Sequence, residues 1–234
     1  MKHYKVLKAN GDCCNGGTGS WYLPTKKKDG TWKPGKWMPK IKGKLEPCKN
    51  GYHICRPHDL VHWLDEEIFE VEYKGKIIED DNKCVVREAR LLRRVETWNN
   101  KSARLFAADC AERVLPIYEE EYPGEDAPRK AIQAARDFAC GKINKKQLEE
   151  AMDAARAGAR AAAWAGARAA AWTAAGAAAG AGARTAAGAA AGAGARTAAG
   201  AAAWAAAWDA AWDAAREWQT DRLFWYLKEN NEEL

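Results

Sequence analysis

The C-terminal half of this chain has little of what most enzymes need. Residues 151–216 contain no histidine, no serine and no cysteine, and three carboxylates. Alanine fills most of the segment, with glycine, threonine, arginine and tryptophan between the alanines. Such a composition offers no activated nucleophile and few groups for acid–base chemistry. It can pack helices closely and display tryptophan and arginine, so it favours recognition over catalysis.

Other absences narrow the class of protein. No apolar run is long enough and free enough of charge to span a bilayer. Residues 1–5 include no apolar h-region, so we expect no signal peptide. The seven cysteines are an odd number and lack a disulfide-scaffold rhythm, which fits a reducing compartment. The sequence therefore predicts a cytoplasmic protein without a membrane segment.

The pattern of residues divides the chain into two predicted domains. Residues 1–98 combine turn signals such as Gly16-Gly17 with predicted strands at 3–8, 21–23, 36–41, 51–55 and 68–73, where Gly75 should end the last strand. A short helix is expected at residues 57–64. Residues 99–234 predict an Ala/Gly/Trp-rich helical bundle with helices capped by Asn99 or Ser102 and by Asn144. The expected fold class is α+β, a small β-rich domain followed by an all-helical bundle.

A twelve-residue repeat runs through the bundle, with units beginning at Thr173, Thr185 and Thr197. Large or special residues recur at every fourth position, whereas an α-helix turns once per about 3.6 residues. Because that row drifts around the helix, one straight helix cannot present it to one partner. We expect shorter, tightly packed helices, with breaks near Gly180 and Gly192 and with tryptophans in the core. Narrow helices bury little area alone, so a homo-oligomer is expected.

Basic residues concentrate at the start of the chain, where residues 1–60 carry thirteen lysines and arginines but four acidic residues. Lysines neutralise phosphates and aromatic rings stack on bases, so an anionic nucleotide is one candidate ligand of these loops. The candidate binding residues are Lys26, Lys27, Trp32, Lys36, Trp37, His53 and Arg87. The alternative is a solvated surface with its tryptophans turned inward.

Two further groups of residues are candidates for binding. Arg168, Arg184 and Arg196 hold fixed places near or within the repeats, where they could clamp an anionic partner or keep the bundle soluble. Cys48, His53, Cys55 and His58 are the right types for zinc, but no CxxC spacing accompanies them. We therefore predict structural or surface roles for these four residues, and no metal, cofactor or catalytic residue.

Two stretches resemble known families. Tyr4-Lys5-Val6-Leu7, Cys48, Gly51-Tyr52-His53-Ile54-Cys55 and Phe69-Glu70-Val71-Glu72 resemble an uncharacterised domain of phage and bacterial proteins. Cys110-Ala111-Glu112-Arg113-Val114, Tyr122-Pro123, Pro128-Arg129-Lys130-Ala131-Ile132 and Glu217-Trp218-Gln219 resemble the helical Imm5-like immunity-protein family. The second resemblance implies an all-helical protein that neutralises a partner by binding it. The repeat between residues 173 and 200 departs from that family.

The leading hypothesis is a non-enzymatic phage or bacterial protein that binds and neutralises a toxin, effector or defence component. Its recognition surface would be the basic N-terminal face, the bundle face or the cleft between them. One alternative is a module that sequesters a nucleotide signal. Another is a degenerate ADP-ribosyltransferase-like enzyme, suggested by the order of the Tyr4-Lys5 strand, the Gly51-Tyr52-His53 strand and the Glu70/Glu72 strand. The last is a structural or virion-assembly subunit.

Overall fold

The computed structural model describes residues 2–157 and 215–228. Of these, residues 2–106 and 216–228 belong to one compact unit and residues 107–157 and 215 to a second. The first unit is built on strands and the second contains helices, which confirms the α+β fold class. No helix within the described ranges is both long and apolar enough to cross a membrane.

A four-stranded antiparallel sheet forms the first unit. Its strands are β1 (His3–Leu7), β4 (Tyr52–Ile54), β5 (Glu67–Asp80) and β6 (Lys83–Arg94), in the order β1-β5-β6-β4. β2 (Thr25–Lys26) and β3 (Trp32–Lys33) form a separate two-stranded ribbon. The sheet curls until its edge strands meet, where Tyr4 and Cys55 exchange backbone hydrogen bonds of 2.7 and 2.8 Å.

The curled sheet encloses a hydrophobic core. Residues from every strand of the sheet and from the loop after β1 contribute to it: Leu7, Trp21, Ile54, Phe69, Val71, Cys84, Val86, Ala89 and Leu91. Two register shifts between β5 and β6, one after Glu70 and one after Lys74, mark bulges that bend these long strands. The bulges let a sheet of only four strands close around its own side chains.

A hairpin-like loop, residues 8–20, follows β1. Asn15 and Gly16 both have positive φ angles (53° and 80°), and the Gly17 amide donates to the Cys14 carbonyl at 3.0 Å. Two successive left-handed residues are the geometry of a type I′ turn, which Asn-Gly favours. Bridges from Cys13 to Leu7 and from Asp12 to Ser20 attach the loop to β1 and close its base.

Arg56 joins three segments of the first unit. Its guanidinium donates to both carboxylate oxygens of Asp59, at 2.8 and 3.2 Å, and to the carbonyls of Asp80 and Asp81, at 2.8 and 3.1 Å. Asp59 lies in the short 3-10 helix Pro57–His62, and its side chain is 2% exposed. Arg56 therefore holds the 3-10 helix, the end of β4 and the β5–β6 turn together.

Residues 215–227 are helical, and residues 216–228 pack in the first unit. Leu223 and Tyr226 are buried, and the Phe224 ring contacts Tyr4 of β1 edge-on at 6.1 Å. The Thr97 hydroxyl donates to the carbonyl of Leu227 at 3.1 Å. The end of the described chain is thus part of the core of the β-rich unit, although it lies far from β1 in sequence.

Helices dominate the segment from residue 100 to residue 157. α1 (Asn100–Glu121) passes from the first unit into the second, α2 (Ala127–Ala139) follows, and residues 145–157 are helical. Asn99 caps α1, since its side-chain oxygen accepts from the amides of Lys101 and Ser102. Asn144 and Gln147 exchange side-chain-to-backbone hydrogen bonds of 3.0 Å, a capping box for the third helix. Both predicted caps are confirmed.

The structure corrects three expected strands. Gly75 does not end β5, because the residue sits in a bulge with a φ angle of 81° and the strand continues to Asp80. Residues 21–23 and 36–41 are not strands. The amides of Gly35, Met38 and Ile41 donate to carbonyls of β6, but they recur at every third residue, whereas a β-ladder needs every second residue. The expected breaks and tryptophan packing within residues 158–214 lie outside the described residues.

Replacing Arg56 by methionine should lower the free energy of unfolding by about 3–5 kcal/mol, because it leaves the buried Asp59 carboxylate without its counter-charge. Urea denaturation followed by circular dichroism measures the change. Arg129→Met is the matched control, since the Arg129–Glu119 pair is exposed and its loss should leave the free energy of unfolding nearly unchanged. The double variant Arg56→Met/Asp59→Leu should recover most of the loss. Equal losses of stability in Arg56→Met and Arg129→Met would contradict the stabilising role of the buried Arg56–Asp59 pair.

Leu223→Ala should destabilise the β-rich unit by about 2–5 kcal/mol, because Leu223 is fully buried there. Leu223→Met conserves volume and should cost less than about 1.5 kcal/mol. Hydrogen exchange at the β1 amides measures the loss of stability within the β-rich unit. Unchanged protection of β1 in Leu223→Ala would show that residues 216–228 do not stabilise the sheet.

Candidate functional site

A cavity of about 590 Å³ opens beside the curled sheet, within the first unit. Its wall combines β1, the hairpin-like loop, residues 48–53 before and within β4, and the start of β6. Gly51 is required in that wall, since its φ angle is 139° and a Cβ there would lie 2.2 Å from Cγ1 of Val85. The side chains that decide its chemistry are Lys5, Trp21, Cys48, His53, Trp63 and Lys83.

Two lysines project toward aromatic rings in this wall. The Lys5 ammonium lies 5.3 Å from the centre of the Trp21 ring, and the Lys83 ammonium lies 5.3 Å from that of Trp63. Burial opposes the charge of Lys83, but hydrogen bonds to Asp80 and to the Cys48 thiol raise its pKa. Lys83 is therefore a fixed cation, held at the cavity by the turn that Arg56 anchors.

The surroundings of His53 favour a neutral imidazole. Burial lowers its pKa, and the charges of Lys5 and Lys83 lower it further, against a smaller opposing effect of Asp80. The backbone amide of Cys48 donates to Nε2 of His53 at 2.9 Å, so this nitrogen is the acceptor and the proton belongs on Nδ1. Cys48 itself has a φ angle of 62°, and this hydrogen bond helps to hold that left-handed backbone.

Four thiols line the cavity, but two of them are unreactive by their surroundings. Burial raises the pKa of Cys55 to about 12 and also raises that of Cys14. A thiol that stays protonated is a poor nucleophile and a poor metal ligand. Within residues 2–157 and 215–228, no three histidine, cysteine or acidic side chains are placed to hold a metal ion. His58 is exposed and lies 3.6 Å from Asp59.

The basic residues chosen from the sequence lie elsewhere. Lys26 pairs with Glu96 at 2.6 Å, and Lys27 and Lys36 are exposed. None of these three lysines lines the cavity. Of the chosen residues, the cavity contains His53 and the metal candidates Cys48 and Cys55.

The other chosen residues of the first unit have structural contacts. The half-buried Trp37 ring packs between Lys74 and Arg90, whose cationic atoms lie 4.1 and 4.8 Å from its centre. Arg87 donates to the carbonyls of Ile41 and Gly43, at 2.6 and 2.8 Å, and so fixes the preceding loop. Trp32 is half-buried in β3.

Glu70 and Glu72, the residues of the ADP-ribosyltransferase hypothesis, do not line the cavity. Glu70 pairs with Arg93 and Lys2, at 2.9 and 2.7 Å, and Glu72 pairs with Arg90 at 2.6 Å. Burial disfavours the charge of Glu70, but the hydrogen bonds from Arg93 and Lys2 outweigh it and lower its pKa. Both carboxylates serve as cross-strand ion-pair partners. Arg168, Arg184 and Arg196 lie outside the described residues.

Several cavity residues escaped sequence reasoning for identifiable reasons. Lys83 and Trp63 lie on opposite sides of β5 in the sequence, and only the fold brings them together. Lys5 was named from the sequence only as part of the strand order in the ADP-ribosyltransferase hypothesis. One local signal was present, because Asn15-Gly16-Gly17-Thr18-Gly19 is an exposed glycine-rich loop in the connection that follows β1. Such a loop can bring backbone close to a ligand.

The pKa of His53, measured by NMR titration of the intact protein, should lie below 6.5. The unfolded chain then binds the proton more readily than the folded one, so the contribution to stability is intact above pH about 6.5 and is lost as the pH falls through the folded pKa. His53→Gln keeps a hydrogen-bond acceptor and should remove this part of the pH dependence. A His53 pKa at or above 6.5 would contradict the described surroundings.

Comparison with known proteins adds two family matches. The model of a domain of unknown function, DUF7666, matches residues 1–103, which include every residue of the cavity wall. The model described as Imm-5 like putative immunity protein matches residues 93–224. Both resemblances inferred from the sequence are confirmed. No curated protein and no solved structure matches the chain.

The Imm-5 like match covers more than half of the chain and includes α1, α2, residues 145–157 and most of the helical residues 215–227. The matched, described part of this segment is helical apart from the end of β6 and short connections. The chain therefore belongs to the Imm-5 like putative immunity protein family.

Proposed function

We propose that this protein acts by binding and neutralising a protein partner of the toxin or effector class, without catalysing a reaction on it. The observation that carries the proposal is the family match over residues 93–224. A family of immunity proteins favours a role in which one protein occupies the working surface of another. The helical segment is the part of the chain to which we assign this role.

The chemistry of the matched segment supports binding over catalysis. Residues 93–224 contain no histidine and a single serine, Ser102. Ser102 is buried at the start of α1, where its hydroxyl donates to the Asn99 carbonyl at 3.1 Å. The same hydroxyl accepts from the Asn99 amide at 2.9 Å, and a buried hydroxyl held in this way at a helix start is not available as a nucleophile. The matched segment thus offers charged and apolar surface but no nucleophile–base pair of the serine–histidine or cysteine–histidine type.

Exposed lysines on the described helices are available to such a partner. The side chains of Lys130, Lys145 and Lys146 are 71%, 80% and 84% exposed. Each pairs with an acidic residue four positions away, namely Asp126, Glu149 and Glu150. Exposed pairs of this kind contribute little to stability, so a partner can recruit these charges without disturbing the helices.

The proposal predicts that the protein restores growth of cells that express a toxin encoded beside its gene, and that the two proteins form a defined complex. We place these lysines against an acidic surface of the toxin. Lys130→Glu/Lys145→Glu/Lys146→Glu should therefore weaken that complex at least tenfold, because the new glutamates would face like charges. Isothermal titration calorimetry with the purified toxin measures the affinity. Size-exclusion chromatography with light scattering gives the stoichiometry.

A matched variant, Lys27→Glu/Lys28→Glu/Lys36→Glu, carries the same change of charge on exposed residues outside the helical segment. Its affinity should remain within twofold of the unaltered protein. If only this second variant loses binding, the partner contacts the N-terminal unit and the assignment to the helices is wrong. Large closed assemblies without a partner would favour a structural subunit instead.

A further inference from the structure

The cavity of the first unit is not explained by a partner-binding role of the helices. It lies within the segment matched by a domain of unknown function, and its volume of about 590 Å³ is that of a small-molecule site. Its charge, its aromatic side chains and its glycine-rich loop each point to the same class of ligand. We propose that this cavity binds a small anion that carries a planar ring, the chemistry of a nucleoside monophosphate.

The charge of the wall selects an anion. Three lysines line the cavity, Lys5, Lys49 and Lys83, and no aspartate or glutamate does. Lys49 pairs with Glu46 and Lys83 with Asp80, whereas no carboxylate in the described part of the chain lies within ion-pair distance of Lys5. A concave wall with cations and no lining carboxylate attracts a negative ligand, and the half-buried Lys5 is the cation with capacity to bind it.

The aromatic side chains of the wall select a ring. Trp21 and Tyr52 contact each other edge-on at 5.3 Å, and Trp63 lies on the side of Lys83. The indole nitrogen of Trp63 donates to the Asn82 carbonyl at 2.7 Å, which fixes the ring. Trp21 is buried and backs the wall, whereas Trp63 is half-buried and lies beside the Lys83 ammonium. This pair suits a heteroaromatic ring joined to an anionic group, since the indole stacks on the ring and the ammonium pairs with the anion.

The hairpin-like loop supplies a wall with few side chains. Space is open at the Cβ positions of Gly16 and Gly19, whose φ angles are 80° and 87°. Consecutive left-handed and turn residues make concave backbone that accepts anions. The Asn15 side chain ties this loop to the opposite wall, because its amide donates to the Trp63 carbonyl at 3.0 Å. The loop and Trp63 are thereby held at a fixed spacing.

Isothermal titration calorimetry of the full chain with AMP, GMP, CMP and UMP tests the proposal, with the four nucleosides and inorganic phosphate as separate probes. At least one nucleotide should bind tenfold or more tightly than its own nucleoside and than phosphate, because binding needs both the anion and the ring. Lys5→Gln should weaken that binding about tenfold. Lys76→Gln removes an exposed lysine outside the cavity and should leave it within twofold.

Two site-specific readouts accompany the titration. Bound nucleotide should slow alkylation of Cys48 by iodoacetamide, while exposed Cys140, in the other unit, serves as an internal control. It should also raise the pKa of His53, since an anion near the imidazole favours the protonated form. These results are independent of toxin binding, so either proposal can fail alone.

The proposal is overturned if no nucleotide binds more tightly than its nucleoside, or if phosphate alone binds as tightly as the nucleotide. It is also overturned if Lys5→Gln keeps full affinity with an unchanged melting temperature. If Lys5→Gln lowers the melting temperature, the protection of Cys48 by nucleotide in the unaltered protein decides whether the ligand binds in the cavity. Nucleotide binding that protects Cys140 and Cys48 equally, or neither, places the ligand outside the cavity.

Discussion

The buried ion pair between Arg56 and Asp59 is the contact on which the candidate site depends. A carboxylate that is 2% exposed needs a fixed counter-charge, and Arg56 supplies it while also donating to the carbonyls of the β5–β6 turn. That turn carries Lys83, whose ammonium pairs with Asp80, and the Asn82 carbonyl that fixes Trp63. One guanidinium thus sets the position of a cation and a ring on the cavity wall.

The cavity and the Imm-5 like match lie in different parts of the chain, so the two proposals concern different segments. The residues of the cavity wall belong to the segment matched by a domain of unknown function, while the Imm-5 like match begins at residue 93. The compact units do not follow these limits, because residues 216–224 of the Imm-5 like segment pack in the β-rich unit. Phe224 against Tyr4 is the clearest contact of that kind. Any division of the chain for experiment should keep these residues with the sheet.

Local chemistry made some elements predictable and left others hidden. Asn99 and Asn144 predicted the starts of two helices, because a capping side chain accepts hydrogen bonds from backbone amides two or three residues further along the chain. The prediction that Gly75 ends a strand was wrong for an equally local reason, since glycine occurs both at strand ends and in β-bulges. Lys26, Lys27 and Lys36 were candidates because the N-terminal loops are rich in lysine. A high density of lysines in the sequence does not show which of them lie in a cavity. Lys5 is a single cation on an ordinary strand, and its sequence neighbours do not distinguish it.

The sequence by itself determined the fold class, the helix caps, a turn near Gly16-Gly17 and the immunity-protein family, because each rests on short-range patterns or on residues adjacent in the chain. The tertiary structure alone decided which cations share a cavity, that Glu70 and Glu72 serve as ion-pair partners, and that residues 216–228 complete the β-rich unit. The physical reason is that the closure of a four-stranded sheet depends on bulges and on the Tyr4–Cys55 pairing, contacts between residues far apart in sequence. A pattern of residue types records what each segment prefers, but burial and charge at a site are set by the segments that fold against it.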